Sequence, residues 1–387
     1  PSSLSFDDAL YPGKTFKVGV LNATTTGDIT LTVDQIYSGG GLTLTTIGTG
    51  NITLGSVVSN LGSVGGAILK NAGILNITKN ITLDGIFSQT STGPVRIGVA
   101  GTPLAITTRN QDMIFTGAIT LNTDLTLNAG SASTADMTLG AINSLGGNAF
   151  DLTLIAGGNL LLNGSLGNLT SLGAINTSFV TLSSLTTGAN ALAIIGKSLT
   201  TKVAGDLIIN AAQTYSTAAG LNIINTSSSN RTQIAALTTT NNGIVSITNA
   251  GILQLTGNIS SDGTVTQAGG GTVFFGVTGN PFSITTTNDA VSFTDAVNLI
   301  SNTTINSNGG NITFNNIVDG DFNFTLNAAG GNVLLGGRLG FNSIGPIAVI
   351  GATNVTMLGN IFAESLSIIN ANGPIVITGE MVFNNIT

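Results

Sequence analysis

Gly50-Asn51-Ile52-Thr53-Leu54 is the stretch of sequence that decides the fold. Two turn-forming residues precede a triplet in which apolar side chains flank a threonine. Gly and Asn tolerate positive φ angles, so this pair predicts a corner of the chain. The triplet predicts a short β-strand with its two apolar side chains on one face. A corner followed by a three-residue strand is therefore the expected building unit.

The same pattern recurs along the whole chain. It returns as Gly27-Asp28-Ile29-Thr30-Leu31, Gly158-Asn159-Leu160-Leu161-Leu162, Gly205-Asp206-Leu207-Ile208-Ile209, Gly310-Asn311-Ile312-Thr313-Phe314 and Gly331-Asn332-Val333-Leu334-Leu335. Starts 27 and 50 are 23 residues apart, and starts 310 and 331 are 21 apart. Such spacing fits one coil of a parallel β-helix. At about 20 residues per coil, the chain is expected to be an all-β solenoid of roughly 19 coils, a rod of about 90 Å.

The sequence also repeats over a longer period of 178 residues, which contains several coils. Gln35 and Tyr37 have counterparts in Gln213 and Tyr215, and Asn71-Ala72-Gly73-Ile74-Leu75 matches Asn249-Ala250-Gly251-Ile252-Leu253. These matches indicate a tandem duplication. The predicted divisions are an N-terminal cap or docking segment (1–26), a first long repeat (27–204), a second long repeat (205–372) and the start of a candidate third repeat (373–387).

Composition excludes several classes of protein. Charged residues are 7% of the chain, against roughly 25% in an average soluble domain. The 42% of hydrophobic residues is too high for a disordered chain. No apolar run approaches the roughly 18 residues of a membrane-spanning helix, so no membrane-spanning segment is predicted. The ten Lys and Arg residues are scattered, which argues against a nucleic-acid partner.

A string of antiparallel β-sandwiches is the competing architecture. It predicts hairpins with two-residue turns at regular spacing. Asn241-Asn242-Gly243 is one such signal. Because these signals do not dominate the sequence, the solenoid is favoured.

No catalytic or cofactor-binding residue is predicted. The chain contains no His and no Cys, which removes triads and most metal sites. The acids are sparse and include an adjacent pair and scattered single residues such as the following: Asp7-Asp8, Asp34, Asp84, Asp112, Asp262 and Asp295. Asp28 and Asp206 are equivalent in the long repeat, as are Asp84 and Asp262. Acids that recur with a repeat are most simply corner residues, so the chain is predicted not to be an enzyme.

Asp319 and Asp321, which flank Gly320, are the only candidates for a metal site, and they are weak ones. Calcium takes six or more oxygen ligands, and the Gly-Gly-x-Gly-x-Asp pattern of calcium-binding repeats is missing. A polar turn is the better interpretation.

Phenylalanine is denser in the second long repeat, where internal stacking and an exposed adhesive face both explain it. The residues concerned are Phe274, Phe275, Phe282, Phe293, Phe314, Phe322 and Phe324.

The sequence resembles the β-helical regions of bacterial filamentous-haemagglutinin-like adhesins and autotransporter passengers. The resemblance is carried by the Gly-Asn-Ile-Thr-Leu and Gly-Asn-Leu-Leu-Leu stretches, the missing cysteine and the long tandem repeat. It covers nearly the whole chain and is one of texture, without a diagnostic secretion motif. It implies a right-handed β-helix, export to the extracellular space or bacterial cell surface, and a role in adhesion or biofilm.

The expected function is that of a non-catalytic structural protein, the shaft of a surface adhesin or a filament. The alternative is the subunit of an extracellular fibre that assembles end to end, and Met381-Val382-Phe383-Asn384-Asn385-Ile386, which has the pattern of an uncapped strand, fits it. A minor alternative is a β-helix that binds or degrades glycans. The expected partners are further copies of the chain, through end-to-end or lateral contacts, and host or matrix glycans or proteins.

Overall fold

The protein is all-β in a computed structural model that describes residues 2–62 and 64–383. The chain divides into two compact units, Pro1–Lys197 and Ser198–Thr387. No helix occurs among the described residues, and this part of the chain accordingly holds no helix able to cross a bilayer.

The first unit consists of short strands and two longer ones near its start. They are β1 (Leu4–Phe6), β2 (Thr15–Thr25), β3 (Ile29–Leu31), β4 (Asp34–Thr46), β5 (Ile52–Leu54), β6 (Val57–Ser59), β7 (Gly66–Lys70), β8 (Leu75–Ile77), β9 (Ile81–Leu83), β10 (Phe87–Gln89), β11 (Val95–Ile97), β12 (Leu104–Thr108), β13 (Met113–Phe115), β14 (Ile119–Leu121), β15 (Leu125–Gly130), β16 (Met137–Leu139), β17 (Ile142–Ser144), β18 (Leu152–Ala156), β19 (Asn159–Leu162), β20 (Ala174–Asn176), β21 (Ser184–Thr187) and β22 (Ala193–Gly196).

The second unit is built in the same way. Its strands are β23 (Ser198–Val203), β24 (Leu207–Ile209), β25 (Ala212–Tyr215), β26 (Leu221–Asn225), β27 (Arg231–Ile234), β28 (Leu237–Thr239), β29 (Val245–Asn249), β30 (Ile252–Leu255), β31 (Ile259–Ser261), β32 (Val265–Ala268), β33 (Val273–Phe275), β34 (Phe282–Thr286), β35 (Val291–Phe293), β36 (Val297–Leu299), β37 (Thr303–Asn306), β38 (Ile312–Phe314), β39 (Val318–Gly320), β40 (Phe324–Asn327), β41 (Val333–Leu335), β42 (Leu339–Ile344), β43 (Ile347–Ile350), β44 (Val355–Met357), β45 (Ile361–Ala363), β46 (Leu366–Ile369), β47 (Ile375–Ile377) and β48 (Met381–Phe383).

Each unit is a parallel β-solenoid whose short strands pair with those of neighbouring coils. In the first unit one sheet runs β1-β3-β5-β8-β11-β14-β17, and its strands pair in parallel with the coils before and after. In the second unit every third strand is likewise a parallel neighbour, as in β33–β36–β39. Pairing of this kind confirms the solenoid and excludes the antiparallel sandwich. At Asn241 and Asn242, both with positive φ, the chain turns from β28 to β29 in a different sheet.

The coil spacing predicted from the repeated corners agrees with the spacing of residues that pair between neighbouring coils. Ile29 pairs with Ile52, and Ile312 pairs with Val333. The two units together contain about 17 turns, slightly fewer than the predicted 19. Some coils are longer than the assumed length because loops extend their corners, as between the paired residues Leu125 and Leu152.

The core consists of ladders of inward side chains. One ladder joins six aliphatic residues of consecutive coils, all fully buried: Ile29, Ile52, Leu75, Val95, Ile119 and Ile142. Burying each contributes about 1.5–3 kcal/mol. In the second unit the buried residues Phe275, Phe293, Phe314 and Phe324 form a stack with ring centroids 4.8, 5.5 and 5.3 Å apart in turn. Internal stacking therefore explains part of the phenylalanine enrichment.

The corner glycines serve a different purpose from the one predicted. Gly50 and Gly331 do not have positive φ angles. A Cβ atom at Gly50 would collide with the carbonyl oxygen of Gly27, one coil earlier, and one at Gly331 with that of Gly310. Neighbouring coils approach so closely at this corner that only glycine fits.

The corner Asn and Asp side chains bond to the next coil. Asp28 Oδ1 accepts the backbone N–H of Asn51 at 2.8 Å, and Asn51 Oδ1 accepts that of Ile74 at 2.8 Å. In the second unit Asn311 Oδ1 accepts the N–H of Asn332 at 2.9 Å. These ladders satisfy backbone donors that the short strands leave unpaired.

Buried polar contacts recur with the long period. Tyr37 donates to Gln35 Oε1 at 2.8 Å, and 178 residues later Tyr215 donates to Gln213 Oε1 at 3.0 Å. Gln89 Nε2 donates to Asn71 Oδ1 at 2.8 Å, and Gln267 Nε2 to Asn249 Oδ1 at the same distance. The copies share buried side-chain contacts as well as sequence.

Both ends of the described chain carry strands. Within segment 1–26, predicted to be a cap or docking segment, β1 pairs with β3 and β2 pairs with β4, so this segment forms a coil. Of the predicted C-terminal strand, Met381–Phe383 pairs with β45, whereas Asn384, Asn385 and Ile386 lie outside the described residues.

Candidate binding surface

Asp319 and Asp321, the weak calcium candidates, bond to protein donors. Asp319 Oδ1 accepts the backbone N–H of Phe341 at 2.8 Å, and Asp321 Oδ1 accepts the hydroxyl of Ser343 at 2.7 Å. Both donors lie one coil further along. Over residues 2–62 and 64–383, no group of three or more acidic side chains could hold a metal ion. The two carboxylates instead hold an irregular strand in place.

The acids that recur with the long repeat occupy matching corners. Asp84 accepts the N–H of Gly62, and Asp262 accepts the N–H of Asn242. Asp206 accepts the N–H of Arg231 at 2.9 Å, as Asp28 does for Asn51. Each carboxylate bonds backbone in a neighbouring coil, which is the structural role that their recurrence indicates.

The acids near the start of the chain form a small network on the surface. The backbone N–H of Ala9 and the hydroxyl of Thr32 both donate to Asp7 Oδ1 and hold the pKa of Asp7 below its ordinary value. Lys79 lies 3.9 Å from Asp8 and 3.4 Å from Asp34. Exposed ion pairs of this kind contribute little stability, and no general acid–base pair is formed.

The remaining two acids singled out in the sequence also have structural partners. Asp112 Oδ1 accepts the N–H of Asp136 at 3.0 Å, in the next coil. Asp295 accepts the side-chain amide of Gln267 and, at 2.8 Å, the N–H of Gly270. Both therefore belong to the contacts between coils.

The outward face of the β5–β8–β11–β14 sheet forms a recess in the first unit. The recess has a volume of about 370 Å³. Its lining is a set of neutral polar side chains with one cation and two apolar residues: Thr53, Asn76, Ile77, Thr78, Arg96, Gly98, Thr120, Asn122 and Leu145. The hydroxyls and amides stand in register on successive coils, because Thr53 pairs with Asn76 and Arg96 pairs with Thr120.

Arg96 is the charged group of this recess. Its side chain is exposed, and it forms no ion pair or side-chain hydrogen bond with any residue of the described chain. No acidic residue lines the recess. By contrast Arg109, in the same unit, lies 3.1 Å from Asp84. The guanidinium of Arg96 thus keeps its donors available in a neutral surrounding.

A wider recess of about 550 Å³ lies further along the first unit. Amides and hydroxyls such as those of Asn163, Ser165 and Asn190 line it, and two leucines border it. Leu169 and Leu192 are 84% and 72% exposed. It has no charged side chain in its lining.

The equivalent face of the second unit carries some aromatic residues and an irregular strand. Arg96 corresponds to Phe274 at the 178-residue offset. Further along this face the register shifts at β42, where Gly340 has a φ of 74° and Phe341 is 59% exposed. Bulges of this kind re-aim side chains and are common next to functional sites.

Arg338 holds the bulge of β42 together. Its guanidinium carbon lies 4.9 Å from the ring centroid of Phe341 and 4.4 Å from that of Phe362. The same side chain donates to the carbonyl oxygens of Gly340 and Phe341 at 2.8 and 2.7 Å. These two hydrogen bonds use only some of the five guanidinium donors. Together with the two aromatic rings they fix the position of the Arg338 side chain.

Sequence reasoning did not single out Arg96, Arg338, Phe341 or Phe362. A signal for Arg96 existed, because a cation interrupts a column of Thr and Asn residues and its repeat counterpart is a phenylalanine. No sequence pattern predicted the bulge, because the sequence of β42 departs from the repeat. Positions at which the two copies differ in charge or shape were therefore the informative ones.

Comparison of the chain with protein-family models, with curated proteins and with solved structures found no significant match.

Proposed function

We propose that this chain is a non-catalytic extracellular structural protein, an elongated β-solenoid that forms the shaft of a bacterial surface adhesin or a filament. The observation that carries the proposal is the way in which coils complete one another. Inward residues form ladders such as Ile29–Ile52–Leu75, and corner side chains such as Asn51 bond the backbone of the next coil. A stack of this kind grows by adding coils, which suits a spacer.

The surroundings of the acidic residues support a non-catalytic role. Asp28, Asp84, Asp206 and Asp262 each accept a backbone N–H of a neighbouring coil. General acid–base chemistry requires two titratable groups placed about a substrate bond. Carboxylates that bond the main chain at corners serve the stacking of coils instead.

The extracellular location rests on the resemblance to exported bacterial β-helices and on composition. Outward positions carry Thr, Ser and Asn, as at Thr30, Thr53 and Asn76 in one column. Such side chains keep a long sheet face hydrated without charge. Antibody labelling of intact cells that produce the protein tests this location, and labelling only after lysis would overturn it.

Electron microscopy of the purified chain over a concentration series tests the shaft against the fibre. A shaft is expected to give discrete elongated particles whose length does not change with concentration. Filaments that lengthen as concentration rises would overturn the shaft and support end-to-end assembly, in which terminal strands pair with those of another copy.

A further inference from the structure

We propose that the recess around Arg96 binds an acidic polysaccharide, with the guanidinium of Arg96 pairing with a carboxylate or sulfate group of the polymer. The proposal goes beyond the shaft function and does not depend on it, because binding is a property of the first unit alone. Three observations carry it: an unpaired cation, a neutral polar lining, and lining residues drawn from four successive coils.

The guanidinium of Arg96 indicates that the ligand carries an anionic group. Arg96 has no acidic residue beside it in the recess, and its fork of N–H donors matches carboxylate and sulfate oxygens. The chain as a whole has a net charge of −7, so most of its surface disfavours anions. A single acidic sugar residue is therefore directed to this position.

The neutral polar lining indicates that the ligand carries many hydroxyl groups, as a sugar does. Thr53, Thr120 and Asn122 present hydroxyl and amide groups that both donate and accept hydrogen bonds. The absence of clustered cations in the lining disfavours a nucleic acid, whose phosphates need several Lys or Arg residues. A ligand with many hydroxyls and few charges fits this set of groups best.

The extent of the lining along the stack of coils indicates that the ligand is a polymer. Its lining residues Thr53, Asn76, Arg96 and Thr120 lie on four successive coils, β5, β8, β11 and β14. At about 4.8 Å per coil these span roughly 14 Å along the stack. The volume of about 370 Å³ lies within the range of small-ligand sites, so the recess accommodates a short segment of a chain that continues along the sheet.

Calorimetric titration of the full chain with polygalacturonate, galacturonate monomer and neutral dextran tests the proposal. Arg96→Gln is expected to weaken binding of polygalacturonate about tenfold or more, since it removes a charge-assisted contact. Arg96→Lys should give an intermediate affinity, because it keeps the charge and loses the planar fork. Lys70→Gln is the matched control: it removes one exposed charge from a different face of the same unit and should leave binding unchanged.

Three results would overturn the proposal. They are equal affinities of the Arg96→Gln and Lys70→Gln variants, binding of dextran as tight as that of polygalacturonate, and binding of the monomer as tight as that of the polymer, which would indicate a site for small anions. Circular dichroism of each variant shows that the fold is retained. Release of reducing ends from polygalacturonate would contradict the non-catalytic function while leaving the binding site intact, so the two failures are distinguishable.

Discussion

Gly50 shows what the corner of a coil requires from a single residue. A side chain there would strike the carbonyl oxygen of Gly27, whereas Gly48, two residues earlier, has a φ of 75° and open space around its Cβ position. One glycine is needed for close approach and the other for its backbone conformation.

Alanine substitutions separate these two requirements. Gly50→Ala is expected to lower the free energy of unfolding by about 3 kcal/mol, because two coils must move apart. Gly48→Ala should cost only about 1 kcal/mol, the strain of a left-handed backbone. Denaturant unfolding of both variants measures the difference, and equal losses would show that close approach is not what selects Gly50.

Tyr37 and Tyr215 predict how stability depends on alkaline pH. Burial raises the pKa of both hydroxyl groups far above the ordinary value of about 10. Below about pH 10 the folded and the unfolded protein both keep the two hydroxyl protons. Above about pH 10 the unfolded chain releases them while the folded protein retains them. Stability is therefore expected to fall by about 1.4 kcal/mol per pH unit and tyrosine once the pH exceeds about 10.

Phenylalanine variants provide the control for the two buried tyrosines. The Tyr37→Phe/Tyr215→Phe double variant loses two buried hydrogen bonds and is expected to be about 2 kcal/mol less stable at neutral pH. Its stability should then fall less steeply than that of the parent above pH 10. If the unfolding free energies of the parent and the double variant fell in parallel with pH, the loss of stability could not be due to Tyr37 and Tyr215.

At the scale of the element, a corner and its three-residue strand form a unit that bonds to the next coil through side chains. Asn311→Ala removes the acceptor of the Asn332 N–H and is expected to cost about 1 kcal/mol, as for a lost helix cap. Asn311→Asp keeps an acceptor oxygen at the same place and should remain close to the parent. Thermal unfolding compares the two, and equal losses would mean that the bond contributes nothing.

Much of this element was predictable from its sequence, and the reasons for the failures are specific. Alternation in Ile52-Thr53-Leu54 identified the strand and its buried face, because a strand repeats every two residues. The role of Gly50 was mistaken since the distance to Gly27 depends on stacking, which is not a local property. The bulge of β42 and the unpaired Arg96 were missed because both depend on which outward side chains become neighbours, and pairing between coils decides that.

At the scale of each whole unit, contacts join a coil only to the coils before and after it. Such a solenoid is nearly one-dimensional, and its stability is a sum over coils and their interfaces. The sequence therefore predicts coil spacing well, as the pairs Ile29–Ile52 and Ile312–Val333 show. The number of coils was less accurate, since loops of varying length are inserted at corners without disturbing the ladders.

Deletion of one complete coil tests this description of the second unit. Residues 245–264 are one coil, because Val245 pairs with Val265. Removing them is expected to leave a folded and cooperative protein, since β32 then takes the place of β29 with its buried residues still inward. Removing 245–265, one residue more, reverses the inward and outward faces of the strand that follows and should strongly destabilise or unfold the unit. Circular dichroism and denaturant unfolding distinguish the two deletions; equal behaviour would show that the corners absorb a change of register, and that the pattern of inward residues constrains this solenoid less than its ladders suggest.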